Sequence, residues 1–264
     1  MCLTCGCAAP HDPSHGAGDP RATKETIDVL GRLLDANDQE AAHNREHLDA
    51  HGVLAVNLMS SPGAGKTRLL EATIDALAGR WRIAVIEGDL ETENDAQRIR
   101  AKGVPAVQIT TGTACHLDAH MVHSALHVVE LDHLDLLFIE NVGNLVCPAS
   151  FDLGHHLNVT LLSVTEGADK PAKYPVMFRT ADLLLLTKTD LLGAIDDFDP
   201  QVAVAHFRAL ANPAPVLQLS ARQPASLAPW IGWLESQLAR RRSGERLRPH
   251  MPSDARAHPA HGPA

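Results

Sequence analysis

The sequence predicts an α/β fold of three layers: a mainly parallel sheet with helices on both faces and a flexible tail at either end. Apolar runs of strand length recur at 53–59 (VLAVNLM), 82–87 (RIAVIE), 104–110, 135–140 (DLLFIE), 159–164, 182–187 (DLLLLT) and 215–219. Between them lie helical patterns such as KTRLLEATIDALAG, ETENDAQRIRAK and HLDAHMVHSALHVVEL. Near-continuous apolar strands alternating with helices mean a parallel sheet buried on both faces. With 264 residues and 45% hydrophobic composition, the chain has material for one substantial domain plus tails.

Taken in order, residues 1–22 are rich in Cys, Gly, Pro and His without periodicity and read as a flexible arm. In residues 23–50, Ile27, Leu30, Leu33 and Leu34 recur at helical spacing and predict an amphipathic helix docked on the domain. The strand and helix alternation fills 51–242. It closes with a helix at about 225–242, whose final Arg240, Arg241 and Arg242 suit the negative end of a helix dipole. Residues 243–264, rich in His and Pro, are expected to be disordered, and there is no internal repeat.

Composition excludes several partners. The formal net charge is −9 and the basic residues are scattered, so no patch offers nucleic acid an electrostatic footprint. No stretch approaches the roughly 18 to 20 apolar residues that span a bilayer, and no secretory apolar core follows Met1. The expectation is a cytoplasmic protein without membrane insertion. Five cysteines in such a chain are metal ligands or redox groups sooner than disulfides. Of the sixteen histidines, His11, His15, His250, His258 and His261 fall in the tails, where metal binding and plain solvation are both open.

In a parallel sheet, ligands bind beyond the carboxyl ends of the strands. The first strand runs into SSPGAGKT, residues 60–67, and then a helix. In such a P-loop the backbone N–H groups of Gly63, Ala64, Gly65 and Lys66 face phosphates, Lys66 reaches the terminal ones, and Thr67 offers a hydroxyl to Mg²⁺. Ser60 stands where a first glycine is usual. After the sixth strand, Lys188 can cover a base plane and Asp190 can accept from guanine N1–H and the 2-amino group. Adenine would leave that carboxylate unpaired, so guanine is preferred. The segment resembles the guanine-specificity motif of GTPases, with Thr187 in place of asparagine, and Ser220 and Ala221 resemble the loop that contacts guanine O6. Residues 51–242 therefore read as a P-loop GTPase domain of the three-layer P-loop NTPase type. Asp89 and Glu140, at strand ends, join Thr67 as oxygen ligands for Mg²⁺. Lys66, Asp89 and Glu140 are the candidate catalytic residues, Asp89 as the group that orients water, and Gly143 suits a loop that senses the γ-phosphate.

Cys115, His116 and Cys147 are predicted at the same sheet edge. A helix N-terminus after Cys115 would depress its pKa, and two thiolates with an imidazole suit Ni²⁺ or Zn²⁺. The same residues also fit small buried fillers and a helix-end histidine.

MCLTCGC, SSPGAGKT, GDLETENDAQRI, TACHLDAHM, ENVGNLVCPA and DKPAKYPVMFRTADLLLLTKTDLL occur in this order. Across about 50–220 plus the N-terminus, the chain resembles the HypB family, the nickel-incorporation GTPases of [NiFe]-hydrogenase maturation. The resemblance implies GTP hydrolysis with Mg²⁺, a homodimer that forms with nucleotide or metal, and a Ni²⁺ or Zn²⁺ site at Cys115, His116 and Cys147. It implies a tighter nickel site at Cys2, Cys5 and Cys7. There the α-amine freed by removal of Met1 could complete a near-square set of donors, which favours Ni²⁺ over tetrahedral Zn²⁺. It further implies a HypA-type nickel chaperone and the hydrogenase large-subunit precursor as partners, and it leaves Lys170 and Lys173 to contact phosphate or the second subunit. Since Cys147 shares a loop with Gly143, metal affinity is expected to follow the nucleotide. Two other readings stand beside this one: nickel storage, which the histidine-bearing tails favour, and a related urease or cobalamin-enzyme accessory GTPase.

Overall fold

The computed structural model describes residues 20–251 except 78 and 90–92, with the side chains of the first helix described from residue 33 onward. The chain divides into two compact units, Met1–Ala36 and Asn37–Ala264. In chain order the elements are α1 (Pro20–Ala50), β1 (Leu54–Met59), α2 (Lys66–Leu77), β2 (Ile83–Asp89), α3 (Asn94–Arg100), β3 (Ala106–Thr110), α4 (Ala119–Leu126) and β4 (Leu136–Glu140). They continue with β5 (Leu157–Ser163), α5 (Lys170–Lys173), α6 (Pro175–Arg179), β6 (Leu183–Thr187), α7 (Pro200–Arg208), β7 (Val216–Gln218) and α8 (Ala228–Arg242).

Among the described residues the strands form a seven-stranded sheet in the order β3-β2-β4-β1-β5-β6-β7, and every neighbouring pair is parallel. This is the predicted fold class, with strands at all the predicted apolar runs. Every residue of β1, β4, β5 and β6 is buried, as a sheet covered on both faces requires. Leu54, Val56 and Leu58 of β1 pack with Leu70 and Ile74 of α2, Ile99 of α3 and Trp230 and Leu234 of α8. Ala55, on the opposite face, packs with Leu48 of α1 and Val122 and Leu126 of α4. Met59, at the strand end, joins a cluster with Leu162, Leu186, Phe178 of α6 and Phe207 of α7.

Ala41, Asn44, Arg45 and Leu48 are the buried stripe of α1. Arg45 grips Asp152 with one nitrogen 2.6 and 2.7 Å from its two oxygens, and Asp49 takes His156 at 3.0 Å and Arg241 at 2.5 Å. Leu33, expected on the docked face, is exposed, and the side chains of Ile27 and Leu30 lie outside the described residues. The segment after α8 keeps its structure through residue 251, where disorder was expected from 243. Leu247 is buried there and His250 Nδ1 lies 2.7 Å from Asp182. Residues 252–264 are outside the described ones.

Trp230 is fully buried, and its indole N–H donates to Thr73 Oγ1 at 2.9 Å, which ties α8 to α2. Trp230→Ala removes this volume and leaves the Thr73 hydroxyl without its donor. Denaturant unfolding is expected to register a loss of about 3 to 5 kcal/mol.

Candidate nucleotide site and metal cluster

The chain leaves the centre of the sheet at Met59 and enters α2 at Lys66, so the N–H groups of the first turn of α2 have no acceptor within the helix and face the loop between them. Gly63 and Gly65 have φ of 75° and 98°, the left-handed region that turns successive N–H groups inward and that glycine adopts without strain. Ser60 is buried: its hydroxyl donates to Ser61 O at 2.7 Å and accepts from Lys66 Nζ at 3.2 Å. Serine in place of the usual glycine thus holds the lysine side chain.

A cleft of about 380 Å³ opens above this loop, lined by Gly63, Gly65, Lys66, Thr67, Asp89, Glu140 and Gly143 among the expected residues, and by Glu87, Asp95, Arg98 and Asn141, which the sequence did not single out. Thr67 Oγ1 donates to Glu140 Oε1 at 2.9 Å, and Lys66 Nζ lies 4.0 Å from the same oxygen. A Cβ on Gly143 would come within 2.8 Å of Pro62 Cα, so the loop after β4 closes directly onto the phosphate loop. Arg98 forks onto both oxygens of Glu71, each at 2.9 Å, and holds Asp95 at 2.8 Å. Lys173 pairs with Asp169 at 2.7 Å and Lys170 lies over the Tyr174 ring. Neither lysine lines the cleft.

Glu87 and Glu140 are register partners on the adjacent strands β2 and β4, and both are buried. Burial first, and the neighbouring Glu140 carboxyl second, push Glu87 up to about 11. Burial likewise raises Glu140, against the pull of Lys66. Two carboxyls at one spot cannot both ionise, so the pair keeps a proton at neutral pH. A divalent cation can take that proton's place. Hard oxygen donors gathered beside the Thr67 hydroxyl fit Mg²⁺.

A second cavity of about 320 Å³ adjoins the phosphate loop and is lined by Ala64, Gly65, Arg68, Thr187, Lys188, Asp190, Ser220 and Ala221. It brings every predicted base-contacting residue to one place. Thr187 donates to Ala64 O at 2.8 Å and Lys188 Nζ to Gly63 O at 2.7 Å, so the end of β6 is pinned to the phosphate loop at two points. Lys188 takes φ of 59°, uncommon for lysine, and this sends its stem back across Gly65, whose added Cβ would lie 3.9 Å from Lys188 Cε. The 219–221 turn is organised by Ser226, whose hydroxyl accepts from Ser220 N at 2.9 Å.

Cys115, His116 and Cys147 converge. Their donor atoms lie within 4.8 Å of one another, with the two sulfurs 3.1 Å apart and both thiols free. His116 stacks on Phe151 with centroids 3.9 Å apart, and burial lowers its pKa, which keeps it in the neutral form that binds metal. Cys115 runs against expectation. Its pKa is raised, first by the hydrogen bond with Cys147 and then by burial. The helix begins only at Ala119, behind its Asp118 cap, so the dipole acts from too far to lower the thiol. Asn144 donates to Cys115 O at 3.1 Å, and Asn141 Oδ1 accepts from Leu117 N at 3.3 Å and Val142 N at 3.0 Å. The loop after β4 is thereby fastened to both the cleft and the cluster. Cys2, Cys5 and Cys7 lie outside the described residues.

A central parallel sheet, a glycine loop between its middle strand and a helix, and acidic strand ends around that loop define a P-loop nucleotide-binding protein. Residues 54–218 match the family "CobW/HypB/UreG, nucleotide-binding domain". The chain is 51% identical over 245 residues to hydrogenase maturation factor HypB of Azotobacter vinelandii, covering 92% of this chain and 76% of that protein. It superposes on the crystal structure of HypB from Helicobacter pylori in complex with nickel with a TM-score of 0.74 at 41% identity, covering 80% of this chain and 97% of that one. For hydrogenase maturation factor HypB from Archaeoglobus fulgidus the TM-score is 0.72 at 38% identity, covering 78% and 100%. The chain belongs to the CobW/HypB/UreG family, on its HypB branch.

Glu87 carries a testable consequence of its own. A carboxyl whose folded pKa lies far above its unfolded value loses stability for the fold as pH rises above the unfolded pKa. Glu87→Gln, which mimics the protonated form, is expected to match the parent in thermal melting near pH 5 and to exceed it increasingly toward about pH 8. A constant difference across that range would place the shared proton elsewhere.

Proposed function

We propose that this chain is a GTP-hydrolysing metallochaperone that binds nickel and delivers it during maturation of [NiFe]-hydrogenase, with metal release coupled to the nucleotide state and to dimerisation. One observation carries the reading: residues 141–147 form a single loop that packs Gly143 on Pro62 of the phosphate loop and ends at Cys147, 3.1 Å from Cys115. The names of the relatives supply the hydrogenase context, and the nickel in the Helicobacter pylori structure supports nickel as cargo.

In this mechanism Gly63, Ala64, Gly65 and Lys66 bind the phosphates of GTP, while Lys188, Asp190, Ser220 and Ala221 select guanine. Thr67 and Glu140, with Asp89, would hold Mg²⁺, which when bound neutralises charge on the β- and γ-phosphates. Asp89 orients the water that attacks the γ-phosphorus, yielding GDP and inorganic phosphate. Loss of the γ-phosphate removes what Gly143 touches, the loop relaxes, and Cys147 shifts against Cys115. Three protein donors at an exposed edge leave coordination positions open, which suits a Ni²⁺ or Zn²⁺ ion completed by a second copy of the chain. Cys2, Cys5 and Cys7 form a separate nickel-loading site. A HypA-type chaperone and the hydrogenase large-subunit precursor are the proposed partners, in the cytoplasm.

Coupling of about 1 to 3 kcal/mol corresponds to roughly 5- to 150-fold in affinity and acts equally in both directions. With Cys2, Cys5 and Cys7 changed to Ala, nickel affinity at the Cys115 cluster is expected to differ by such a factor between GDP and a non-hydrolysable GTP analogue. Equal affinities would remove the coupling. Asp190→Ala should cost at least roughly tenfold in guanine-over-adenine preference, read by nucleotide competition. If Lys66→Ala still supported hydrogenase maturation in full, storage would be the better reading.

A further inference from the structure

Two histidine ladders face each other away from the cysteine cluster. His43 and His47 of α1, and His51 just past its end, recur every fourth residue, and so do His123 of α4 and His127 at its C-terminal cap, the spacing that places side chains on one helix face. Ring centroids lie 5.1 Å apart for His43 and His123, 6.4 Å for His47 and His127, and 4.5 Å for His123 and His127. The Nε2 atoms of His123 and His127 are 3.0 Å apart. Two imidazole nitrogens bound to one ion at about 2.0 to 2.1 Å stand about 2.9 Å apart in a square arrangement and about 3.4 Å apart in a tetrahedral one.

The tautomer of His123 is set by its neighbours. Asn44 Nδ2 donates to Ala119 O at 2.8 Å and Leu153 O at 3.2 Å, so Asn44 presents its oxygen to His123 Nδ1, 2.9 Å away. Nδ1 therefore carries the proton, and Glu40 stands 3.3 Å from the same nitrogen. The Nε2 lone pair is left pointing at His127. A hydrogen bond from the far ring nitrogen to an amide oxygen or carboxylate is how proteins orient metal-bound histidines. His47 has a lowered pKa, from burial and then from the neighbouring histidines, and so is neutral at physiological pH. His51 is turned aside, donating from Nδ1 to His47 O at 2.9 Å, with Asp132 3.6 Å from its Nε2.

We propose that His123 and His127, completed across the helix pair by a turn of the His47 or His43 ring, form an imidazole-only site for a borderline divalent cation such as Ni²⁺ or Zn²⁺. It shares no ligand with Cys115, His116 and Cys147. Among the described residues three donors already converge only at that cluster, so the histidine site closes on metal uptake. The site stands whether or not nucleotide controls the cysteine cluster.

The test titrates Ni²⁺ into the full-length chain with Cys2, Cys5, Cys7, Cys115 and Cys147 changed to Ala, and into the same protein carrying His123→Gln and His127→Gln. The parent is expected to take up nickel without sulfur-to-metal charge-transfer absorption, and the histidine variant to bind it at least roughly tenfold more weakly. Since His123 also bonds Asn44, a second variant, His43→Gln with His47→Gln, weakens the site from the other helix. Both variants are melted without metal to show that they fold. A raised melting temperature on adding Ni²⁺ should appear in the parent and shrink in folded variants. Nickel affinity unchanged in both variants would overturn the site.

Discussion

The parallel register of β1, β4 and β2 is the constraint on which the rest of this site depends. Pairing Leu58 with Glu140, and Glu140 with Glu87, delivers three strand ends to one edge of the sheet. The phosphate loop leaves from the first of these strands and the Asn141–Cys147 segment from the second. Thr67, entering α2, then meets Glu140 at hydrogen-bond distance. A slip of one residue would turn Glu140 to the opposite face and separate these groups.

That geometry has an electrostatic cost which is informative. Two buried glutamates side by side are a poor choice for stability, since one must hold a proton. Their position beside the phosphate loop, with Thr67 and Lys66, makes sense as a place where cation charge is expected. The pinning of Thr187 and Lys188 to the same loop extends this organisation to the second cavity. The cleft and the cavity are thus two compartments of one sheet edge, joined through Gly63, Ala64 and Gly65.

The cluster of Cys115, His116 and Cys147 is built differently. Cys115 and Cys147 come from loops after β3 and β4, strands separated by β2 in the sheet, and meet because Asn141 and Asn144 tie the two loops together. Cys115 and Val146 are exposed at the surface of these loops, while Leu117, Val142, Leu145 and Ala149 beside them are buried and anchor the two segments to the body of the domain.

Much of this was legible in the sequence, for particular reasons. The apolar runs reported buried strands because a sheet covered on both faces leaves little room for polar residues, and the glycines of SSPGAGKT marked the backbone positions that need left-handed φ. The family followed from ordered blocks such as CHLDA and NLVCP. Among the described residues of α1 the buried stripe falls on Ala41, Asn44, Arg45 and Leu48, and Leu33 is exposed, because helical spacing reports a possible apolar face without saying which turn meets a neighbour. Asn44 and Arg45, the polar members of that stripe, carry no such signal. Glu87 was passed over for Asp89, since both stand near the end of one apolar run and only pairing with β4 puts Glu87 beside Glu140.

The sequence by itself therefore determined the element types, the phosphate loop, the residues that line the second cavity and the family, all of which are written in local spacing. Tertiary structure decided the strand order, the shared carboxyl proton, the raised thiol of Cys115 and the facing histidine ladders of α1 and α4. Each of these depends on through-space neighbours far apart in the chain, and register and crossover, which no local pattern encodes, choose those neighbours.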